Sequence, residues 1–365
     1  LSMHKTPLFI LLVCFFVYTV YITHSRVRDS NIHIRTYYCF DVNLSLDQNT
    51  ENVANVFKSS GLVPVKHYTQ ADILFTNTHD QFMKLDGIGR SERCKYIYGL
   101  RSVNLFASKS ALAFIMSKDV IPKTWILNNT DHVADLLTHF DTNTQQPTVP
   151  MLLKSNLQRQ SGLKFVEKLS DIENGLHKYV VCQEILKNPL LVNGMKVDIR
   201  VYLLIVCAEQ QFAFYIYRDG FVYYTGKKFD ADSVSYDTVV SSGYIDRKVY
   251  ETNPLTTKDL YEFLGTEKAN TLQNSIRGCF TKVARAYKPL LKKNDLNDGT
   301  NRFILMGADV SPNEDCEVKL LEINKGPDLK TKDVRDKEVK ETLTRETLNI
   351  LRNPAKTNSF FTKIL

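Results

Sequence analysis

Two carboxylates and a carboxamide punctuate the stretch FILMGADVSPNEDCEVKLLEIN, residues 303–324. Side chains alternate along a strand, so Phe303, Leu305, Gly307 and Asp309 share one face, and Leu320, Glu322 and Asn324 share another. A hairpin folded about residues 311–316 brings Asp309 within a residue or two of the level of Glu322. Converging on one sheet face, Asp309, Glu322 and Asn324 supply hard oxygen donors, the chemistry that suits Mg2+ held jointly with phosphates. Ordinary acids on an exposed hairpin edge are the alternative. Against it stands the apolar sequence on both sides of Glu322, since a buried carboxylate without a partner is costly. In NGMKVDIRVYLLI, Lys196, Asp198 and Arg200 alternate with Val197, Ile199 and Val201, so the three charges project from one face. A solvated sheet would make this a plain polar face. The strands that follow are apolar and aromatic, however, as in a covered sheet, and charges facing a covered pocket are matched by anions such as phosphates. Lys154 ends the apolar strand MLLKS and precedes a polar loop containing Gly162, from where it could reach nucleotide phosphates. The loop is no P-loop: the chain contains no G-x-x-x-x-G-K-[ST].

These groups need elements to hold them. From about residue 36 to 103, short strand-like runs (TYYCFDV, LVPVKHY, DILFTNT, KYIYGL) alternate with polar connections, the pattern of a small α/β domain. Residues 104–118 read as one helix, and VIPKTWIL reads as extended because proline holds its predecessor out of the helical region. MLLKS and YVVCQEIL read as strands. From Val197 the chain reads as an antiparallel meander of three strands, with a tight turn at Asp219-Gly220. Helices are predicted at 268–293 and at 333–351, the latter with an apolar stripe of Val334, Val339, Leu343, Leu348 and Leu351.

With 365 residues, 43% of them hydrophobic, the chain can build two or three packed lobes. The net charge of +7 comes from interspersed charges and favours an acidic partner only loosely. Zinc spacing, an RNP-like aromatic signature and a basic arm are all missing, so nucleic acid is not expected as a partner. The seven cysteines are scattered and include no C-x-x-C, which argues for reduced thiols over a disulfide framework or zinc site. Residues 7–22 (PLFILLVCFFVYTVYI) form an uncharged apolar run with basic flanks. They are read as a retained single-pass membrane anchor, with a cleaved signal peptide as the rival. Arg26, Arg28 and Arg35 follow the run, so the positive-inside rule places the larger part in the cytosol.

Taken in order, the motifs resemble the tubulin tyrosine ligase-like family, whose members have an ATP-grasp fold. VIPKTWIL is similar to that family's P-K-T-W-x-L-P, and MLLKS to its I-V-K-P. VVCQEILKNPLLVNGMKVDIRVYLLI resembles V-V-Q-x-Y-I-x-N-P-L-L-I-x-G-x-K-F-D-L-R-x-Y-x-L. FYIYRDGFV resembles L-Y-R-x-G-x-x-R, and FILMGADVSPNEDCEVKLLEINKGPDL resembles F-E-L-x-G-x-D…L-L-E-V-N-x-x-P. The resemblance implies an α/β (α+β) ATP-grasp fold with a small N-terminal α/β domain, preceded by one transmembrane segment. The corresponding division is an anchor at 1–28, the N-terminal domain at 29–104, a central lobe at 105–186 and a C-terminal lobe at 187–365. It implies that Lys154 contacts ATP phosphates and that Gln183, Glu184, Ile185 and Leu186 form the adenine-holding linker. It further implies that Lys196, Asp198 and Arg200 face the nucleotide, with Lys196 and Arg200 acting on phosphates or an acyl phosphate, and that Asp309, Glu322 and Asn324 hold Mg2+. The activity implied is ATP-dependent ligation of a free amino acid to a protein tail, tubulin or another acidic tail. The alternative is a weak or inactive relative that binds such tails or tethers microtubules to a membrane. Three departures bear on that choice: RQSGL where the family has R-G-x-G-I, Tyr223 in place of the second arginine of L-Y-R-x-G-x-x-R, and SSGYID (241–246) where it has H-L-T-N.

Overall fold

The structure, a computed structural model, describes residues 32–39, 48–76, 78–87, 93–157, 162–231, 233–296 and 299–365. Short apolar strands alternating with helices give β1 (Thr36–Cys39), α1 (Gln48–Ser59), β2 (Val63–Pro64), β3 (Ile73–Phe75), α2 (His79–Gly87) and β4 (Tyr96–Tyr98). Helical crossovers return each strand in the same direction, so β2 with β1, β1 with β3 and β3 with β4 all pair in parallel. The helix predicted over 104–118 is in fact two, α3 (Val103–Ala107) and α4 (Lys109–Ile115). Ser108 between them is extended: its backbone N–H closes the first helix on Asn104 O, and its Oγ accepts from the Ala111 N–H and caps the second.

A separate four-stranded antiparallel sheet follows. Its elements are β5 (Thr124–Ile126), α5 (Thr130–Leu137), β6 (Met151–Lys154), β7 (Leu163–Phe165), α6 (Leu169–Gly175) and β8 (Val181–Glu184), and its strand order is β5-β8-β6-β7. This lobe has its own core, in which Trp125, Leu136, Met151, Leu153 and Ile172 meet.

The linker after β8 leads to β9 (Leu191–Val192), β10 (Met195–Ala208), β11 (Gln211–Thr225), α7 (Tyr236–Val239), β12 (Ser241–Ser242) and α8 (Thr257–Asp295), a helix interrupted at Gly265. The chain ends with β13 (Arg302–Pro312), β14 (Val318–Asn324), α9 (Val334–Arg352) and β15 (Phe361–Lys363). Among the described residues eleven strands form the large sheet, with a main path β12-β11-β10-β13-β4-β3-β1-β2 and with β14, β15 and β9 on β13, β11 and β10. β4 thus pairs in parallel with the start of β13, and the Tyr98 hydroxyl donates to Leu305 O at 3.0 Å across that seam. One apolar core runs beneath both parts, from Val53 and Phe57 to Leu204, Phe280 and Leu343.

The expected tight turn at Asp219-Gly220 is not a turn. Both residues lie within the single strand β11, at the point where its register against β10 shifts between Val201 and Leu203. Gly220 is needed there because a Cβ would sit 2.1 Å from the Arg200 carbonyl oxygen, while Asp219 Oδ1 accepts from Thr257 Oγ1 and the Lys258 N–H and so anchors the start of α8. Val334 also departs from the predicted stripe. It lies in the first turn of α9 with 82% of its surface exposed, and the buried stripe starts at Val339. No disulfide links the described cysteines, and Cys182, Cys207, Cys279 and Cys316 are buried. The predicted single-pass membrane placement is corrected: among the described residues no helix is long and apolar enough to cross a membrane. The apolar run at 7–22 on which that reading rested lies outside the described residues.

Candidate active site

Between the small sheet and the large one lies a cleft of about 670 Å³. β6 and the end of β8 contribute Lys154 and Gln183 to Leu186 from one side, and β10 contributes Lys196, Asp198 and Arg200 from the other. Asp309 of β13 and Glu322 and Asn324 of β14 complete that second wall. Every residue singled out from the sequence lines this one space.

The hairpin register pairs Asp309 directly with Glu322, and the ladder then shifts so that Val310 faces Leu320. This bulge leaves Leu321 as the extra residue and turns Glu322 and Asn324 into the cleft, while Leu320, assigned to the same face by simple alternation, is fully buried. Asn324 Nδ2 lies 3.0 Å from Glu322 Oε1 and 3.5 Å from Asp309 Oδ2, so the three side chains meet. Arg200 grips Asp309 bidentately, its Nε at 2.6 Å and its Nη2 at 3.0 Å from the two carboxylate oxygens. Burial pushes the Asp309 carboxyl up despite Arg200. Burial acts the same way on Glu322, but Lys109, Asn324 and Lys154 outweigh it and hold that carboxyl below its usual value. Among the described residues no three of His, Cys, Asp and Glu cluster as a metal cage. Two carboxylates and an amide nevertheless fit Mg2+, which keeps part of its shell for water and phosphate oxygens, and each carboxylate retains lone pairs beyond those its present partners use.

Most of the cations are matched within the protein. Lys196 Nζ donates to Asp198 Oδ1 at 2.5 Å, and Ser241 Oγ donates to the other oxygen of Asp198, also at 2.5 Å. Asp198 therefore holds Lys196 in place within a buried pair. Lys109 Nζ lies 3.4 Å from Glu322 Oε2. Lys154 differs: its ammonium donates to the neutral Gln183 Oε1 at 2.6 Å, and among the described residues no carboxylate forms an ion pair with it. Burial drives its pKa down from 10.5 to about 8, with Glu322 only partly opposing the fall. Gln183 is fixed in turn, its Nε2 donating to Thr124 Oγ1 at 2.8 Å. The linker is tied down as well, by Glu184 N–H to Lys123 O and Ile185 N–H to Pro150 O, each at 2.9 Å.

Several cleft residues escape sequence reasoning. Lys109 lies within the stretch expected as one helix and carries no motif of its own; only the break at Ser108, which makes Lys109 the first residue of α4, gives a local hint. Tyr223 lies across the ladder from Asp198, and the Arg200 guanidinium sits 5.4 Å from its ring centroid. Gly243 and Tyr244 lie within SSGYID, which, like Tyr223, is marked in the sequence only as a departure from the family pattern; Lys332 comes from a distant segment that no local pattern announces.

A model of the tubulin-tyrosine ligase family matches residues 77–359. The bovine (Bos taurus) protein named "Probable tubulin polyglutamylase TTLL9" is 26% identical over 196 residues, 48% of this chain and 39% of the relative. "Tubulin glycylase 3B" of Drosophila melanogaster is 23% identical over 193 residues, 49% of this chain and 26% of the relative. Mouse (Mus musculus) "Protein polyglycylase TTLL10" is 25% identical over 163 residues, 41% of this chain and 23% of the relative. The matched stretch thus spans about two fifths or less of each relative's length.

Proposed function

The chain belongs to the tubulin-tyrosine ligase family, and from that premise we propose that it is an ATP-grasp enzyme joining a free amino acid to a carboxylate on a protein tail, of tubulin or a similarly acidic protein, at the cost of ATP. Lys154 carries this reading: a half-buried ammonium whose one partner among the described residues is a neutral amide lacks an anion there, and a nucleotide phosphate in the adjoining cleft would provide it. Lys196 faces the same phosphates from β10, steadied by Asp198, and Gln183 to Leu186 offer the adenine a pinned edge. Asp309, Glu322 and Asn324 hold Mg2+, which when bound supplies Lewis-acid stabilisation of charge developing on phosphoryl oxygens. Arg200, anchored on Asp309, directs its remaining N–H groups at the carbonyl oxygen as it gains charge. In the reaction so served, the tail carboxylate attacks the γ-phosphorus, the bond to ADP breaks, and an acyl phosphate forms. The amine then adds to the carbonyl carbon, phosphate leaves with the bonding electrons, and the proton shed by the amine goes to that phosphate. No side-chain nucleophile is required. The lobes at 105–186 and 187–365 supply the two walls, and residues 29–104 buttress the second through the β4–β13 seam.

Incubating the chain with tubulin, Mg·ATP and labelled tyrosine, glutamate or glycine in turn tests the proposal. Incorporation of one of them is expected. No incorporation of any, together with no rise in melting temperature on adding Mg·ATP, would refute it.

A further inference from the structure

We propose that the mouth of the cleft carries a carboxylate-binding subsite, formed by the Lys332 ammonium and the Tyr223 hydroxyl, that receives the carboxylate of a substrate other than the nucleotide. Lys332 reaches across the cleft mouth from the segment before α9, and its Nζ donates to Gly243 O at 2.6 Å while lying 4.8 Å from the Tyr244 ring centroid. One of three ammonium protons is used in that bond, which leaves two to donate. Of the acids near it, Asp336 is matched by Lys340 at 3.0 Å and Asp333 by Arg247, while Asp328 Oδ1 accepts from the Lys330 N–H at 3.1 Å. Among the described residues Lys332 has no ion-pair partner. Burial, and then Lys340, hold its pKa below the usual lysine value, the response of a cation in want of an anion.

Tyr223 comes to the same place from β11. Its ring packs so closely on Gly243 that a Cβ at position 243 would lie 3.1 Å from Cε1 and 3.2 Å from Cζ. The Arg200 guanidinium lies 5.4 Å from the centroid of the same ring. Among the described residues nothing hydrogen-bonds to the Tyr223 hydroxyl, although burial holds that hydroxyl firmly protonated and able to donate. Lys332, Gly243, Tyr223, Arg200 and Asp309 therefore form one contiguous chain of contacts from the mouth to the carboxylate cluster. Lys154 and Lys196 lie on the strands of the cleft interior and suffice for phosphates. Lys332 and Tyr223 are surplus to them, and a single carboxylate accepts from one ammonium and one phenol without further help.

Two carriers bring such a group: the incoming free amino acid, or an acidic side chain of the protein tail. Naming either as the carrier rests on the ligase proposal, whereas the binding itself does not. Calorimetric titration of the full chain, with a non-hydrolysable Mg·ATP analogue present, uses free L-glutamate in one arm and an amidated oligoglutamate peptide in the other. Lys332→Met is expected to weaken one of them about tenfold, the loss of one charge-assisted hydrogen bond, and the affected arm identifies the carrier. Tyr223→Phe should weaken the same arm by a smaller factor. Lys332→Gln keeps a donor for Gly243 O without the charge and should behave like Lys332→Met; wild-type affinity in that variant would make the role structural and overturn the proposal. So would unchanged affinity in both arms, or no measurable binding of either probe to the wild-type chain. The thermal response to Mg·ATP, read in parallel, reports on the ligase proposal alone.

Discussion

Replacing Lys154 with methionine should stabilise the ligand-free chain and abolish its response to nucleotide. The half-buried ammonium titrates at about 8 where an ordinary lysine titrates at 10.5. At about 1.4 kcal/mol per pH unit, keeping it charged at neutral pH costs the folded state on the order of 3 kcal/mol. Methionine has a similar length and no charge, so it relieves that cost. Water in the cleft replaces the one donor that Gln183 Oε1 loses. The melting temperature of the free chain should rise by a few degrees. Saturating Mg·ATP, worth about 3–4 kcal/mol to a competent site at a hundred to a thousand times Kd, should no longer raise it. Trp125, the single tryptophan, is buried in the same lobe as Lys154, so its fluorescence follows the unfolding of that lobe directly. A variant that melts lower than wild type and still gains stability from Mg·ATP would refute the assignment of Lys154 as a strained, phosphate-seeking cation.

The same group sets a pH dependence. Its folded value lies below its unfolded one, so between about pH 8 and 10.5 the unfolded chain holds the extra proton and the stability of the ligand-free form rises with pH, the full penalty being present below pH 8. Nucleotide affinity, measured by titration, should move the opposite way and fall as pH rises through that window. Glu322→Gln removes a charge from the carboxylate cluster while keeping its shape, and should lower ligation by about a hundredfold or more with the melting temperature within a few degrees of wild type; unchanged turnover of labelled amino acid would remove Glu322 from the metal site. Gly243→Ala places a methyl group 3.1 Å from the Tyr223 ring, so the ring must shift by a few tenths of an ångström beside Arg200. A stability cost of about 1 kcal/mol in denaturant titration, with weaker binding of the carboxylate probe, is expected.

What the sequence reveals about this cleft is what lies within a few residues on one strand. Alternation puts Lys196, Asp198 and Arg200 on one face, folding the hairpin brings Asp309 within a residue or two of Glu322, and the structure gathers all of them around one space. Alternation fails where the ladder slips. The bulge at Leu321 depends on the partner strand, and it separates Leu320 from the face of Glu322. Asp219-Gly220 carries the residues of a tight turn, yet it serves a close approach to the Arg200 carbonyl and the anchoring of α8, both of them tertiary demands. Lys109 is invisible for a related reason: its partner Glu322 lies more than two hundred residues away. The membrane reading came from hydropathy over a short run outside the described residues, and no described helix supports it.

The β4–β13 seam has a practical corollary. A fragment cut to begin after residue 104 would strip the neighbour from the first residues of β13, leaving the Asn301 and Phe303 carbonyls without the Ile97 and Gly99 N–H donors beside bare apolar side chains. Such an edge recruits other chains. Expression boundaries drawn around the catalytic motifs alone should therefore yield aggregates, and domain exchange with relatives should succeed only when the strands from 36 to 98 travel with the hairpin they support.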